Sequence, residues 1–260
     1  MLHGFTQTGR CLGPIADALE IEHCLVRPDL PGHGDATDLA DMDLPAIARH
    51  LVTAISPTLD GPAVWFGYSM GARVALQVAL DHPGSVAGLV LVGITPGIVD
   101  DDERAARRRA DAERAARIAE IGVDRFFDEW LSGPLFTSLP ESARFIDERR
   151  RNSAVGLASS LRHAGTGSME PLWDRLGEIA VPVLLVTGGD DERFSATARE
   201  MAERVPDAEL VEIDGSGHAA HLERPGAVLD AVGPFCRRLG PVDTERPRDP
   251  TDRWYRRTDA

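Results

Sequence analysis

The sequence contains no lysine, and all 28 of its basic residues are arginine. That bias reads first as the mark of a GC-rich coding sequence and says more about ancestry than about chemistry. Cysteine is scarce as well. Cys11, Cys24 and Cys236 are an odd number without metal-ligand spacing, which argues against a disulfide framework or a metal site and fits a reducing cytoplasm. No apolar run is long enough to span a bilayer, and the start lacks a basic region followed by an apolar one, so no membrane insertion is expected. Acidic residues number 42 and leave a net charge of −14, a field that repels nucleic acid and anionic membrane. An anionic ligand must therefore meet a local cluster of arginines. There is no internal repeat.

What is present centres on Val64 to Arg73, an apolar run ending in the G-x-S-x-G of Gly67, Ser69 and Gly71 and continuing with helical character. A strand that turns into a helix within a few residues strains the serine backbone, and the two glycines remove side chains that would clash there. Ser69 is thereby exposed at a helix N-terminus, where the Met70 N–H can hold an oxyanion. A serine hydroxyl needs a histidine to take its proton and an acid to orient that histidine. Gly188-Gly189-Asp190-Asp191 and Gly215-Ser216-Gly217-His218 each follow an apolar strand pattern, at the carboxyl ends where open α/β sheets build their sites. The order Ser69, Asp191, His218 is that of the α/β-hydrolase fold, with Asp190 left to turn chemistry. Gly4 allows close backbone approach, and the Phe5 N–H is the second candidate oxyanion donor. His33 and His221 are read as structural. Arg73 falls on the same helical face as Ser69 and would meet a carboxylate with a planar fork of donors, as Arg107 and Arg149 could from further along the chain.

The chain is long enough for one large α/β domain or two small ones. Strands are expected at 23–26, 63–68, 86–94, 183–187 and 209–213, and helices at 44–55, 71–81, 195–205 and 225–239, an alternation that argues for a mostly parallel, doubly wound sheet. Residues 98–170 break the rhythm with long charged helical segments and read as a helical lid; an aromatic cluster there, Phe126, Phe127, Trp130 and Phe136, reads as lid core. The core then comprises 1–97 and 171–239, and 240–260, rich in Pro, Asp and Arg, is expected to be a disordered tail. His3-Gly4-Phe5 resembles the loop after a strand with almost no strand ahead of it, so N-terminal strands are expected upstream of residue 1.

Between residues 3 and 235 the sequence resembles the 2-succinyl-6-hydroxy-2,4-cyclohexadiene-1-carboxylate synthase family, α/β-hydrolase-fold lyases of menaquinone biosynthesis. The motifs carrying the resemblance are L-H-G-F at Leu2, D-L-P-G-H-G at Asp29, G-Y-S-M-G-A-R at Gly67, R-x-x-R at Arg104, W-x-x-x-P-x-F at Trp130, R-x-x-N at Arg149, D-E-R-F at Asp191 and G-H-A-A-H-L-E at Gly217. The resemblance implies a triad of Ser69, Asp191 and His218 and substrate carboxylates held by Arg73, Arg107 and Arg149, with further contacts from Tyr68 and Trp130. It also implies a small polycarboxylate substrate, elimination of pyruvate without a cofactor or metal, and action as a cytoplasmic monomer. Arg193 stands where many members have lysine, which keeps the charge but changes the hydrogen-bond geometry. Two other readings share these residues: a serine hydrolase acting on a small carboxylated substrate through an acyl-enzyme, and a non-catalytic ligand-binding relative of the fold.

Overall fold

The computed structural model of the chain describes residues 1–239, so the tail expected at 240–260 lies outside the described residues. Four strands form one parallel sheet in the order β1 (Ala63–Tyr68), β2 (Val86–Val92), β3 (Val183–Gly188) and β4 (Ala208–Ile213). β2 and β3 are apolar almost throughout because helices cover both faces. Their alternation sorts the core: Leu89, Leu91, Val183 and Leu185 pack on one face and Val90, Val92, Leu184 and Val186 on the other.

On the first face lie α2 (Leu44–Ile55), α3 (Met70–Asp81) and α7 (Glu192–Arg204); on the second lie α1 (Gly13–Leu19) and α9 (Pro225–Arg238). α3 is buried from Met70 to Leu80, which makes it the central helix of the molecule. The edge strand β4 exposes Glu209 and Glu212, and Arg199 of α7 pairs with Glu212 at 2.7 Å. Charge at an edge discourages pairing with another chain. Among the described residues no helix is long and apolar enough to cross a membrane.

The segment expected as a lid contains α4 (Asp101–Leu131), α5 (Ile146–Arg149) and α6 (Ala154–Ala164). α4 begins with Asp100 capping the Glu103 N–H and bends at Gly122, whose φ of 76° and ψ of 170° are not helical. α4 and α6 share a small core of Ala115, Ile118, Phe126, Phe127, Leu157 and Leu161. The charged half of α4 is not wholly solvated: Asp111 is buried and takes Arg107 and Arg114 as partners.

One expected element is absent. Residues 23–26 form no strand and are half-buried or exposed, Cys24 lying in solvent. The segment has no ladder: the His23 N–H donates back to the Leu19 carbonyl at 2.9 Å and the Met1 amine donates to the Val26 carbonyl at 2.7 Å, and apolar content alone does not make a strand. Helix α7 also starts three residues earlier than expected, because Asp191 caps it.

Leu2 bridges to Gly67, donating to the Phe66 carbonyl at 2.7 Å and accepting from the Tyr68 N–H at 3.0 Å. This places the His3-Gly4-Phe5 loop beside the start of α3. A Cβ on Gly71 would sit 2.3 Å from the Leu2 carbonyl oxygen, and one on Gly67 would sit 2.4 Å from that of Gly71. Gly71→Ala should therefore lower the stability of the fold by about 1–3 kcal/mol, read as a lower urea midpoint at unchanged m-value. An unshifted midpoint would mean that the two backbones separate at no cost.

Candidate active site

Ser69 sits between β1 and α3 at φ 51° and ψ −105°, a positive φ for a non-glycine residue. Such backbone costs energy and is held by its surroundings, here by the Ser69 N–H donating to the Val92 carbonyl of the neighbouring strand at 2.8 Å. The hydroxyl lies 3.0 Å from His218 Nε2, and His218 Nδ1 lies 3.0 Å from Asp191 Oδ2. In this chain of contacts Nδ1 carries the proton donated to the carboxylate, which leaves Nε2 free to accept from Ser69.

Asp191 does two jobs: Oδ2 orients His218 while Oδ1 caps the first turn of α7. Asp190 donates its N–H to the Ser216 carbonyl at 2.9 Å and gives the histidine nothing from its side chain. Glu223, which the sequence reading passed over, is buried in the short helix α8 (Ala220–Glu223). Its carboxylate accepts the Gly217 N–H at 2.7 Å and the Ala219 N–H at 3.1 Å, gripping the loop on both sides of His218. An acid five residues past a loop histidine, just inside a helix, was the available signal.

The N–H groups of Phe5 and Met70 have no backbone or side-chain acceptor among the described residues. The peptide before Phe5 is clamped from behind: the Gly4 carbonyl accepts from His3 Nδ1 at 2.9 Å and from the Gln7 N–H at 3.1 Å. A planar trans peptide points its N–H opposite its carbonyl, so these bonds aim the Phe5 N–H away from His3. Phe5 itself packs edge-on against Trp130 at 5.4 Å between centroids, and Trp130 stacks on Phe126. Trp130 thus joins the lid core to the loop, and its buried Nε1–H has no partner.

The expected arginines fall into three groups. Arg149 is 1% exposed, bonded to the Arg144 carbonyl at 2.7 Å and to Thr6 Oγ1, and makes no ion pair among the described residues. Burial pushes its pKa down. Arg73 is also buried without an ion pair; its guanidinium donates to the Ala164 carbonyl at 2.7 Å, and burial together with the Arg107 charge brings its pKa down to about 10. Arg107 instead binds Asp111 through Nε at 3.0 Å, so part of its capacity is already taken. Arg193 is exposed on the first turn of α7, 5.9 Å over the Phe194 ring, which in turn packs 4.4 Å from the His218 ring. Tyr68 is buried against His218 and His221, and burial keeps its phenol protonated.

A model of the alpha/beta hydrolase family matches residues 1–231. A Bacillus subtilis protein provisionally named 2-succinyl-6-hydroxy-2,4-cyclohexadiene-1-carboxylate synthase is 34% identical, over 90% of this chain and 88% of its own length. An Enterobacter sp. (strain 638) protein named as that synthase is 30% identical over 91% of this chain and 90% of its own. The chain belongs to this synthase family of α/β hydrolases. The solved structure of MenH from S. aureus superposes with a TM-score of 0.85 at 32% identity, covering 92% of each chain. A thermophilic esterase from Thermogutta terrifontis, at 24% identity and a TM-score of 0.77, shares the fold. As a member of the synthase family, the chain is an enzyme.

Besides His218, this family member keeps three buried imidazoles, His3, His33 and His221. Burial lowers the pKa of His3 to about 4, and burial with a neighbouring histidine lowers those of His33 and His221 to about 3. Neither ring nitrogen of His221 has a hydrogen-bond partner. In the unfolded chain these groups titrate near pH 6.5. Below that value the unfolded state binds protons that the native state refuses, so native stability falls as pH drops from about 6.5 towards 3–4. The urea midpoint should decline steadily between pH 7 and 4.5, and His221→Phe should flatten that decline; an equally steep slope in the variant would remove His221 from the account.

Proposed function

We propose that Ser69, His218 and Asp191 act as a catalytic triad that eliminates pyruvate from 2-succinyl-5-enolpyruvyl-6-hydroxy-3-cyclohexene-1-carboxylate, giving 2-succinyl-6-hydroxy-2,4-cyclohexadiene-1-carboxylate. Membership of the synthase family gives the chain its place as a lyase of menaquinone biosynthesis. The observation that carries the residue assignment is the pair of 3.0 Å contacts joining Ser69, His218 and Asp191. With His218 accepting its proton, Ser69 Oγ becomes the base that takes a ring proton next to the succinyl ketone. The electrons move onto the ketone oxygen, where the Phe5 and Met70 N–H groups hold the negative charge. As the enolate collapses, the ring C–O bond to the enolpyruvyl group breaks, and the departing enolpyruvate takes up a proton to become pyruvate.

Arg149 and Arg73 supply what an uncharged ester would not need: buried cations without carboxylate partners among the described residues. A guanidinium left unpaired in low dielectric is unfavourable until an anion meets it, and a substrate with three carboxylates meets it. We assign the carboxylates to Arg149, Arg73 and the remaining donors of Arg107, with Tyr68 and Trp130 closing the site and Arg193 at its outer edge. Every group named comes from one chain, so the reading needs neither a second subunit nor a cofactor, and the free cysteines fit work in the cytoplasm.

A coupled assay for pyruvate release tests this reading. Ser69→Ala should lower turnover by about 1,000-fold or more, and Arg149→Ala should lower kcat/KM by at least about 30-fold. Ser69-dependent cleavage of small esters without pyruvate release would instead identify a serine hydrolase. Failure of a fluorophosphonate to label Ser69 would point to a protein that binds without catalysis.

A further inference from the structure

Thr6, next to the proposed oxyanion donor Phe5, lies at φ 69°. A β-branched side chain rarely adopts that left-handed backbone, and where one does, the surroundings enforce it. The enforcing groups come from the lid. Arg149 Nη1–H donates to the Thr6 hydroxyl, and Asn152 Nδ2 donates both to the Thr6 carbonyl and to the Arg149 carbonyl, each at 2.8 Å. These bonds close a ring through Thr6, Arg149 and Asn152, with both amide hydrogens of Asn152 used. Its remaining amide atom, Oδ1, accepts the Gly34 N–H at 2.9 Å and ties in the Pro31-Gly32-His33-Gly34 loop. All three ring residues are buried, and the backbones of Gly32 and Gly156 pack so closely beside them that a Cβ on either would strike the other's carbonyl.

We propose that Asn152 and Thr6 are positioning residues that hold the Arg149 guanidinium at a fixed offset from the Phe5 N–H, and so set the distance between the carboxylate the site accepts and the oxyanion it stabilises. This rests on Arg149 as a carboxylate-binding residue, as proposed above. It adds a specificity device: the lid and the oxyanion loop are registered by one amide side chain, so a carboxylate at the wrong distance from the reacting carbonyl meets the cation and misses the donors. Neither Asn152 nor Thr6 need touch the substrate to do this.

The test uses succinate as a carboxylate probe and measures the concentration that half-protects Ser69 from a fluorophosphonate, a quantity independent of the labelling rate itself. Succinate should protect the full chain. Arg149→Ala and Asn152→Ala should each raise the half-protecting concentration about 10-fold or more, and the double variant should be no worse than about two-fold beyond the weaker single, because both act through one guanidinium. Losses that multiply, or unaltered protection in Asn152→Ala, would overturn the proposal, whatever happens to thermal stability. If Asn152→Ala does not fold, Thr6→Ala and Thr6→Ser decide: the first should lose protection and the second keep it, and equal behaviour of the two counts against the ring. The assay is separable from the lyase reading. A wild-type chain that succinate protects but that releases no pyruvate sinks the synthase mechanism and leaves the ring; a wild-type chain that succinate does not protect sinks the ring.

Discussion

Leu2, His3 and Gly71 meet backbone to backbone, and the site depends on that contact. The carbonyls of Leu2 and His3 lie where a Cβ of Gly71 would be, so the loop carrying Phe5 can rest against the first turn of α3. The approach also brings Gly4 so close to the Tyr68 ring that a Cβ there would stand 2.7 Å from it. Two absent side chains thus bring the His3-Gly4-Phe5 loop to Ser69, whose strained backbone is held by a bond to β2.

The histidine is held with equal economy. Asp191 fixes its ring, Glu223 fixes its backbone, and Phe194 and Tyr68 pack on its two sides. In the mechanism we propose, a base so constrained does not reorganise when charge develops on it, which is the condition for electrostatic help in the transition state.

Much of this was legible in the sequence. The apolar runs at 63–68, 86–94 and 183–187 read as parallel strands, and strands form at Ala63–Tyr68, Val86–Val92 and Val183–Gly188, because burial of both faces leaves its mark in composition. G-x-S-x-G and G-x-G-H were legible because tight turns and close approaches demand glycine, a local requirement. Residues 23–26 misled for a matching reason: a strand is made by its neighbours, and apolar content does not report whether a neighbour donates. Glu223 left a local signal, an acid five residues past a loop histidine, but Thr6 and Asn152 were beyond reach because their partners lie far away in the chain; Asn152 contacts Thr6 across 146 positions. Arg107 showed the limit from the other side, since its spacing from Asp111 satisfies an ordinary helix ion pair as readily as a binding role.

The guanidinium of Arg149, to which we assign a substrate carboxylate, makes no ion pair among the described residues and sits in a chain whose net charge is −14. An approaching anion is therefore repelled over the last Debye length of solvent, about 8–10 Å, and attracted only after it has entered. Salt screens the outer field far more than the buried cation. Association and affinity then respond to ionic strength differently: added salt eases arrival while leaving the grip nearly intact, the reverse of enzymes that draw charged substrates in from a distance.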